Sequence, residues 1–347
     1  MRVLILGPVV NESSSGGVAV FDEGLFGGFR ELGDEVQILS LSKSASLNNL
    51  FISDGFTPVK HIFFHFGELA RKIKAFQPDL VISSLQYSLG IKRYKRLWNN
   101  ATYVQVLHGM PCPINGRFKA WAINKVARFS RKHFDKLVTV SFLSYAINKK
   151  INLIECDRII HNGCALVPPD KETARVVDFV YVGRLFRDKE VELIADAFCL
   201  LKERDPNVRV VVAGYGELEP LFTSGRFKDS GIDFVGKLSQ KEVRSLLQQS
   251  KFFISMNPLE PFGTVFNEAV MNGCNIVTQS TTGSCSLFVN KAYFHIADCI
   301  TPEELCARLF SIRTLYIPIS PLEKNRFIEY MSFKRCANEY KELCVKR

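Results

Sequence analysis

The sequence predicts an α/β protein built from two doubly wound domains, and three observations predict it. Short runs of β-branched and apolar residues alternate with helical patterns from end to end. The runs are apolar throughout, as parallel strands covered on both faces must be. The pair Pro168-Pro169, followed by the charges of Asp170 and Lys171, breaks the alternation into two series of similar size.

The first series predicts strands at Val3–Leu6, Glu35–Leu39, Leu80–Ser83, Thr102–Leu107 and Leu137–Val140. The second predicts them at Phe179–Val182, Val208–Ala213, Ile232–Val235, Phe252–Ser255, Ile276–Thr278 and Tyr293–Ile296. Helical spacing of Val191, Ile194, Phe198 and Leu201 predicts a helix over 189–204. A second helix is predicted over 239–249, where Ser239 can cap, Glu242 follows three residues on, and Val243, Leu246 and Leu247 form the apolar stripe. A last helical pattern runs through Phe333, Ala337, Tyr340 and Cys344. The expected organisation is a domain over 1–165, a linker over 166–176, a second domain over 177–320 and a helical segment over 321–347 that returns to the first domain. Two such domains should face each other across a cleft, with ligands at the strand carboxyl ends.

Composition narrows the function. With 47% hydrophobic and 23% charged residues, the chain has the make-up of a soluble globular protein and not of a disordered one. No apolar run reaches the ~18 residues that span a bilayer. The apolar start Met1–Gly7 is too short for a signal peptide. The 10 cysteines form no C-x-x-C pair, which excludes zinc-ribbon and thioredoxin chemistry, and Cys199, Cys274 and Cys306 sit beside apolar residues as reduced core thiols. A cytoplasmic location is therefore expected. The absence of a G-x-G-x-x-G after the first strand argues against a dinucleotide dehydrogenase. No D-x-D pair is present to hold a metal against a diphosphate.

Chemistry concentrates in the second series. From Ser255 to Ala269, Glu260 lies in a loop between Pro258 and Pro261, and Glu268 lies in the helix expected from Thr264 to Gly273. Gly263 permits close backbone approach, and the free N–H groups of the helix start suit an anion or an array of hydroxyls. Arg184, after the strand 179–182, and Lys189, at the start of the next helix, suit a phosphate chain. Surface glutamates flanking a turn and a solvated basic turn are the plainer readings of these pieces; their occurrence at equivalent strand ends of one domain favours a site.

Taken together the pieces resemble the GT-B glycosyltransferases, specifically the retaining family 4, of the glycosyl transferases group 1 type. They are Ser15-Gly16-Gly17-Val18, His108-Gly109, Val140-Ser141, Ile160-His161-Asn162-Gly163, Gly183-Arg184 with Lys189, Ala213-Gly214-Tyr215-Gly216-Glu217, Phe234-Val235-Gly236-Lys237 and the Glu260/Glu268 pair. The resemblance covers essentially the whole chain and implies two Rossmann-like domains. It implies that Arg184 and Lys189 bind a donor diphosphate and stabilise its charge as the glycosidic bond breaks, without a metal or other cofactor. Glu268 would hold the ribose hydroxyls. Glu260, with the backbone of Phe262, Gly263 and Thr264, would read the donor sugar. Gly214, Tyr215, Lys237 and Leu238 would line the base pocket. Gly16 and Gly17 would bring the first domain's loop close to the phosphates, and His108 would sit by the reacting sugar in an orienting or electrostatic role; His161 is read as local structure. Two departures are Cys164, where an acidic residue is common, and Thr281-Thr282-Gly283-Ser284-Cys285-Ser286, where a Gly-Gly and a Glu are common.

The net charge of +10 is unevenly spread. Residues 1–160 hold 21 Lys+Arg and 12 Asp+Glu, or +9, which leaves +1 for 161–347. Residues 117–136 interleave Lys and Arg with Phe118, Trp121 and Phe129, against one acid, Asp135. Lys125, Arg128, Arg131 and Lys132 form the expected face toward an anionic membrane, with 92–96 as a second basic run. A core-packed helix with a solvated basic face is the plainer alternative, and no recognition motif supports nucleic acid. The expected function is hexosyl transfer from a nucleotide diphosphate sugar, UDP-sugar first and GDP-mannose second, to a lipid-linked or cell-surface glycan at the inner membrane face, as in polysaccharide or lipopolysaccharide biosynthesis. A soluble enzyme of the same fold, either an epimerase or a sugar-phosphate glycosyltransferase, and a non-catalytic nucleotide-sugar-binding protein fit the same residues.

Overall fold

A computed structural model of the chain describes residues 1–11, 16–52, 62–109, 121, 124, 125, 128, 131–165 and 173–344. It divides into two compact units, Met1–Ala165 with Glu329–Arg347, and Leu166–Ile328. Pro168, Pro169 and the rest of the break at 166–172 lie outside the described residues, as does Ser15 of the Gly-Gly loop.

In the first unit the strands are β1 (Arg2–Leu6), β2 (Glu35–Ser40), β3 (Leu50–Phe51), β4 (Leu80–Ser84), β5 (Thr102–Leu107), β6 (Lys136–Thr139) and β7 (Arg158–Ile159). They form one sheet in the order β3-β2-β1-β4-β5-β6-β7, and every pairing is parallel. All five expected strands are present within two residues. The two that sequence reading missed, β3 and β7, are the two-residue edges, too short to show a period.

Helices α1 (Gly17–Glu31), α2 (Ile62–Phe76), α3 (Ile91–Leu97) and α4 (Phe142–Lys150) complete the strand–helix series. One face of the sheet is filled by Leu4, Leu6, Leu39, Val81 and Tyr103 packed with Leu69, Ile73 and Phe76 of α2. Continuous burial of β1 and β4 explains why their sequences carry no polar alternation. The chain's last helix, which follows the second series, belongs to this unit. Its Phe333 fills the space left by the missing side chains of Gly24 and Gly28 on α1 and of Gly163.

In the second unit the strands are β8 (Val177–Arg184), β9 (Val210–Tyr215), β10 (Asp233–Gly236), β11 (Ser250–Ser255), β12 (Asn275–Thr278) and β13 (Phe294–Ile296). All six expected strands appear, in the order β10-β9-β8-β11-β12-β13 and with parallel pairings only. The helices are α5 (Val191–Arg204), α6 (Glu219–Thr223), α7 (Gln240–Gln248), α8 (Thr264–Met271), α9 (Cys285–Phe288), α10 (Pro302–Ile312) and α11 (Pro321–Tyr330), the last straddling the boundary between the units. The C-terminal α12 (Phe333–Lys341) is the helix already placed on α1.

Both faces of this sheet are covered. Phe179 and Tyr181 face α5 and α10, whereas Val180 and Phe253 face α8. The expected cap of α7 is a complete capping box: the Ser239 hydroxyl accepts from the Glu242 N–H, and the Glu242 carboxylate accepts from the Ser239 N–H. Strand β8 begins two residues earlier and ends two residues later than the apolar run suggested, so Arg184 is its last residue and not its successor. Lys189 lies in a 3-10 turn over 187–189 and does not open the helix. Glu190, in the left-handed region at φ 53°, separates that turn from α5.

Candidate active site

Both sheets reverse their strand order once, between β1 and β4 in the first unit and between β8 and β11 in the second. Ligands of doubly wound sheets bind outside the strand carboxyl ends at such a reversal. In the second unit most of the residues expected in the site are at that edge. Gly183 pairs with Gly214 and Arg184 with Tyr215, so an exposed arginine and an exposed tyrosine end neighbouring strands. The Lys237 ammonium, just beyond β10, sits 4.8 Å from the Tyr215 ring centroid, a cation–π contact, and Leu238 beside it is half-buried. The Arg184 guanidinium lies 5.1 Å from the ring centroid of Phe186.

From the loop after β11, Glu260 meets Lys189: Nζ donates to Oε2 at 2.8 Å, with both side chains about four-fifths buried (18% and 22% exposed). Asn257 donates Nδ2 to the same oxygen at 2.8 Å. Asn257 is buried and was not singled out from the sequence. Its sequence signal was a polar residue two positions beyond the apolar strand.

Gly263 holds φ +72° between this loop and α8. A β-carbon there would come within 2.5 Å of the Phe266 ring and 2.9 Å of Glu260 Cγ, so glycine is required. Phe262 is buried and Thr264, the first residue of α8, is exposed. Glu268, one turn into α8, is largely enclosed; burial raises its carboxyl above the usual range, with Arg244 opposing. The segment Thr281–Ser286, a departure from the pattern the sequence resembles, fastens this loop. The Gly283 N–H donates to the Glu260 carbonyl at 2.8 Å, and the Ser284 hydroxyl donates to the Phe262 carbonyl.

In the first unit, His108 follows β5 and Ser84 ends β4. The Ser84 hydroxyl is 3.0 Å from His108 Nε2 and 2.9 Å from Oδ1 of Asp22 on α1. Phe21 meets the imidazole edge to face, with centroids 4.9 Å apart. Burial pushes the His108 pKa down to about 3, so the ring is neutral at pH 7. Leu85, the next residue after Ser84, holds φ 51°, a left-handed conformation rare for a branched side chain and typical of functional sites. Gly16 caps α1 and Gly17 begins it. Both are exposed, with open space where a β-carbon would stand. His161 accepts or donates at Nδ1 with the Tyr330 hydroxyl, 2.9 Å away, and its carbonyl accepts from Arg335, a local structural role.

Much of the basic segment, 117–120, 122, 123, 126, 127, 129 and 130, lies outside the described residues. Lys125, Arg128 and Lys132 are exposed, and Lys125 lies 4.9 Å from the ring centroid of Trp121. Arg131 is otherwise engaged, pairing with Asp157 at 3.1 Å and donating to the Glu155 carbonyl. Among the described residues no group of three or more His, Cys, Asp or Glu side chains converges as a metal site. No helix among them is long and apolar enough to cross a membrane.

Two doubly wound parallel sheets, one in each unit, are the architecture of the GT-B fold. Residues 171–314, most of the second unit, match the model of the family described as Glycosyl transferases group 1. A glycosyltransferase of Bacillus subtilis, YqgM, named as uncharacterized, is 28% identical over 166 residues, 47% of this chain and 45% of that one. A GDP-mannose-dependent alpha-(1-6)-phosphatidylinositol dimannoside mannosyltransferase of Mycobacterium tuberculosis is 27% identical over 157 residues, 44% of this chain and 39% of that one. The matched stretch therefore spans under half the length of each of these curated relatives. The structure of Anabaena HepE in complex with UDP and glucose is similar over 99% of this chain and 97% of that one, with a TM-score of 0.68 and 13% identity.

Proposed function

We propose that the protein is a retaining family 4 glycosyltransferase that moves a hexosyl unit from a nucleotide diphosphate sugar to a lipid-linked or cell-surface glycan. The observation that carries this reading is the Lys189–Glu260 ion pair between the segments that follow β8 and β11, with Arg184 ending β8, where the strand order reverses. Arg184 and Lys189 bind the diphosphate and stabilise the charge that grows on it as the glycosidic bond breaks. The leaving phosphate accepts the proton of the attacking hydroxyl on the same face. Glu260, held by Asn257, reads the sugar hydroxyls with the backbone of Phe262, Gly263 and Thr264; Glu268 takes the ribose; Tyr215, Gly214, Lys237 and Leu238 flank the base. His108 orients the reacting sugar as a neutral ring.

Among the described residues no atom outside the adjoining chain stands within 4 Å of where a β-carbon would be at 16 or 17, which supports close approach of a bound group there. UDP bound to the Anabaena protein and the GDP-mannose dependence named for the mycobacterial one make UDP- and GDP-sugars the donors to try first. The phosphatidylinositol dimannoside in the latter's name, with the exposed Lys125, Arg128 and Lys132, supports a lipid-linked acceptor at an anionic membrane. Nucleotide release from the accepted donor, measured without acceptor, should fall at least about 100-fold in Arg184→Ala and in Glu268→Ala. Unchanged release in both variants would refute the reading.

A further inference from the structure

We infer that Ser84 and Asp22 are positioning residues that decide which nitrogen of His108 carries the proton, so that the ring presents an N–H at Nδ1. Ser84 Oγ stands between His108 Nε2 at 3.0 Å and Asp22 Oδ1 at 2.9 Å, and both Ser84 and Asp22 are fully buried. A hydroxyl has one proton, so Ser84 donates to one neighbour and accepts from the other. If Asp22 is ionised it can only accept; Ser84 then donates to it, and Nε2 must carry the imidazole proton. If Asp22 is a neutral acid it donates to Ser84, Ser84 donates to Nε2, and the imidazole proton is on Nδ1.

The surroundings of Asp22 select the second arrangement. Its Oδ2 has no hydrogen-bond partner among the described residues and lies against Gly7, where a β-carbon would be 1.9 Å away. Its electrostatic neighbours are Glu23 on α1, Tyr87 in the turn after β4 and Tyr340 on α12, none of them a cation. The Tyr340 hydroxyl is itself buried and without a partner among the described residues. A carboxylate with an orphaned oxygen in such a place is far costlier than the neutral acid. Burial accordingly raises the Asp22 carboxyl well above its ordinary value. Phe21, packed edge to face on the imidazole, restricts its rotation away from Ser84. Nδ1 has no partner among the described residues and is the nitrogen left for a ligand.

The proposed function bears only on what meets that N–H; the tautomer is a property of the first unit. The test is nitrogen-15 NMR of the histidine-labelled full chain at neutral pH, with His108→Gln assigning the signal. Wild type should show a bare Nε2 and a protonated Nδ1. Asp22→Asn, whose amide can donate to Ser84 as the acid does, should keep that signature. Ser84→Ala should lose it, and Ser84→Thr should restore it. A proton on Nε2 in the wild type, or a signature unmoved by Ser84→Ala, would overturn the inference. Should Ser84→Ala fail to fold, the wild-type and Asp22→Asn spectra still decide. A protein that turned over no nucleotide sugar would report the tautomer equally well, so the two failures are distinct.

Discussion

His108 and Asp22 pull the pH dependence of stability in opposite directions. The folded imidazole has a pKa of about 3 against 6.5 for the free group, so between those values the unfolded chain binds the extra proton and stability is lost as pH falls. The folded Asp22 carboxyl is raised well above 3.8, so from about that pH upward the folded chain holds the extra proton and stability is lost as pH rises. Above pH 3.8, as long as the folded Asp22 keeps its proton and the unfolded histidine still binds one, the two slopes oppose each other. Removing one exposes the other: Asp22→Asn should lose up to about 1.4 kcal/mol per pH unit on acidification, and His108→Gln should gain by a similar slope. Urea unfolding at a series of pH values checks both signs; parallel slopes in both variants would contradict this pairing. At this scale Arg184, Lys189, Glu260 and Glu268 were legible because their spacing around strand ends repeats a known pattern. Asp22 and Ser84 were not, since each is an ordinary residue until the fold brings α1 under β4.

The element that holds the second unit's site is the loop between β11 and α8. Its shape depends on Gly263 at φ +72°, on Asn257, and on the bonds from Gly283 and Ser284. Gly263→Ala should cost about 1–3 kcal/mol through the left-handed backbone, and more if Phe266 cannot yield. Because the added carbon also presses on Glu260, donor affinity should fall further than the drop in melting temperature explains, which calorimetry and a donor titration together measure. The strands longer than two residues were readable throughout, since short apolar runs bounded by turn residues fit buried strands, and the Ser239–Glu242 cap needs only local chemistry. The helices of the first unit were not assigned ranges. Strand ends were less readable. Arg184 and Tyr215 are polar residues that extend β8 and β9 past their apolar runs, carried by backbone pairing that composition does not reveal.

Across the whole molecule, charge divides by unit. The first unit holds 26 Lys+Arg and 15 Asp+Glu, or +11, against 19 and 20, or −1, for the second, which carries Arg184, Lys189, Glu260 and Glu268. Arg131, half-buried and paired with Asp157, adds less unpaired charge to the first unit's surface than Lys125, Arg128 and Lys132. Neutralising Lys125, Arg128 and Lys132 should weaken binding to anionic vesicles roughly 100-fold, at about 1 kcal/mol per residue, and leave donor binding unchanged. Co-sedimentation with phosphatidylserine vesicles would show it, and equal loss of both would mean the basic residues serve the donor. The central claim is that the carboxyl edge of β8 and β11 binds a nucleotide diphosphate sugar. Its most direct test is a thermal shift with a panel of UDP- and GDP-sugars, since a ligand of the native state raises the melting temperature. The account predicts a rise with at least one of them, lost in Arg184→Ala and Glu268→Ala. No rise with any, or an undiminished rise in both variants, would contradict it.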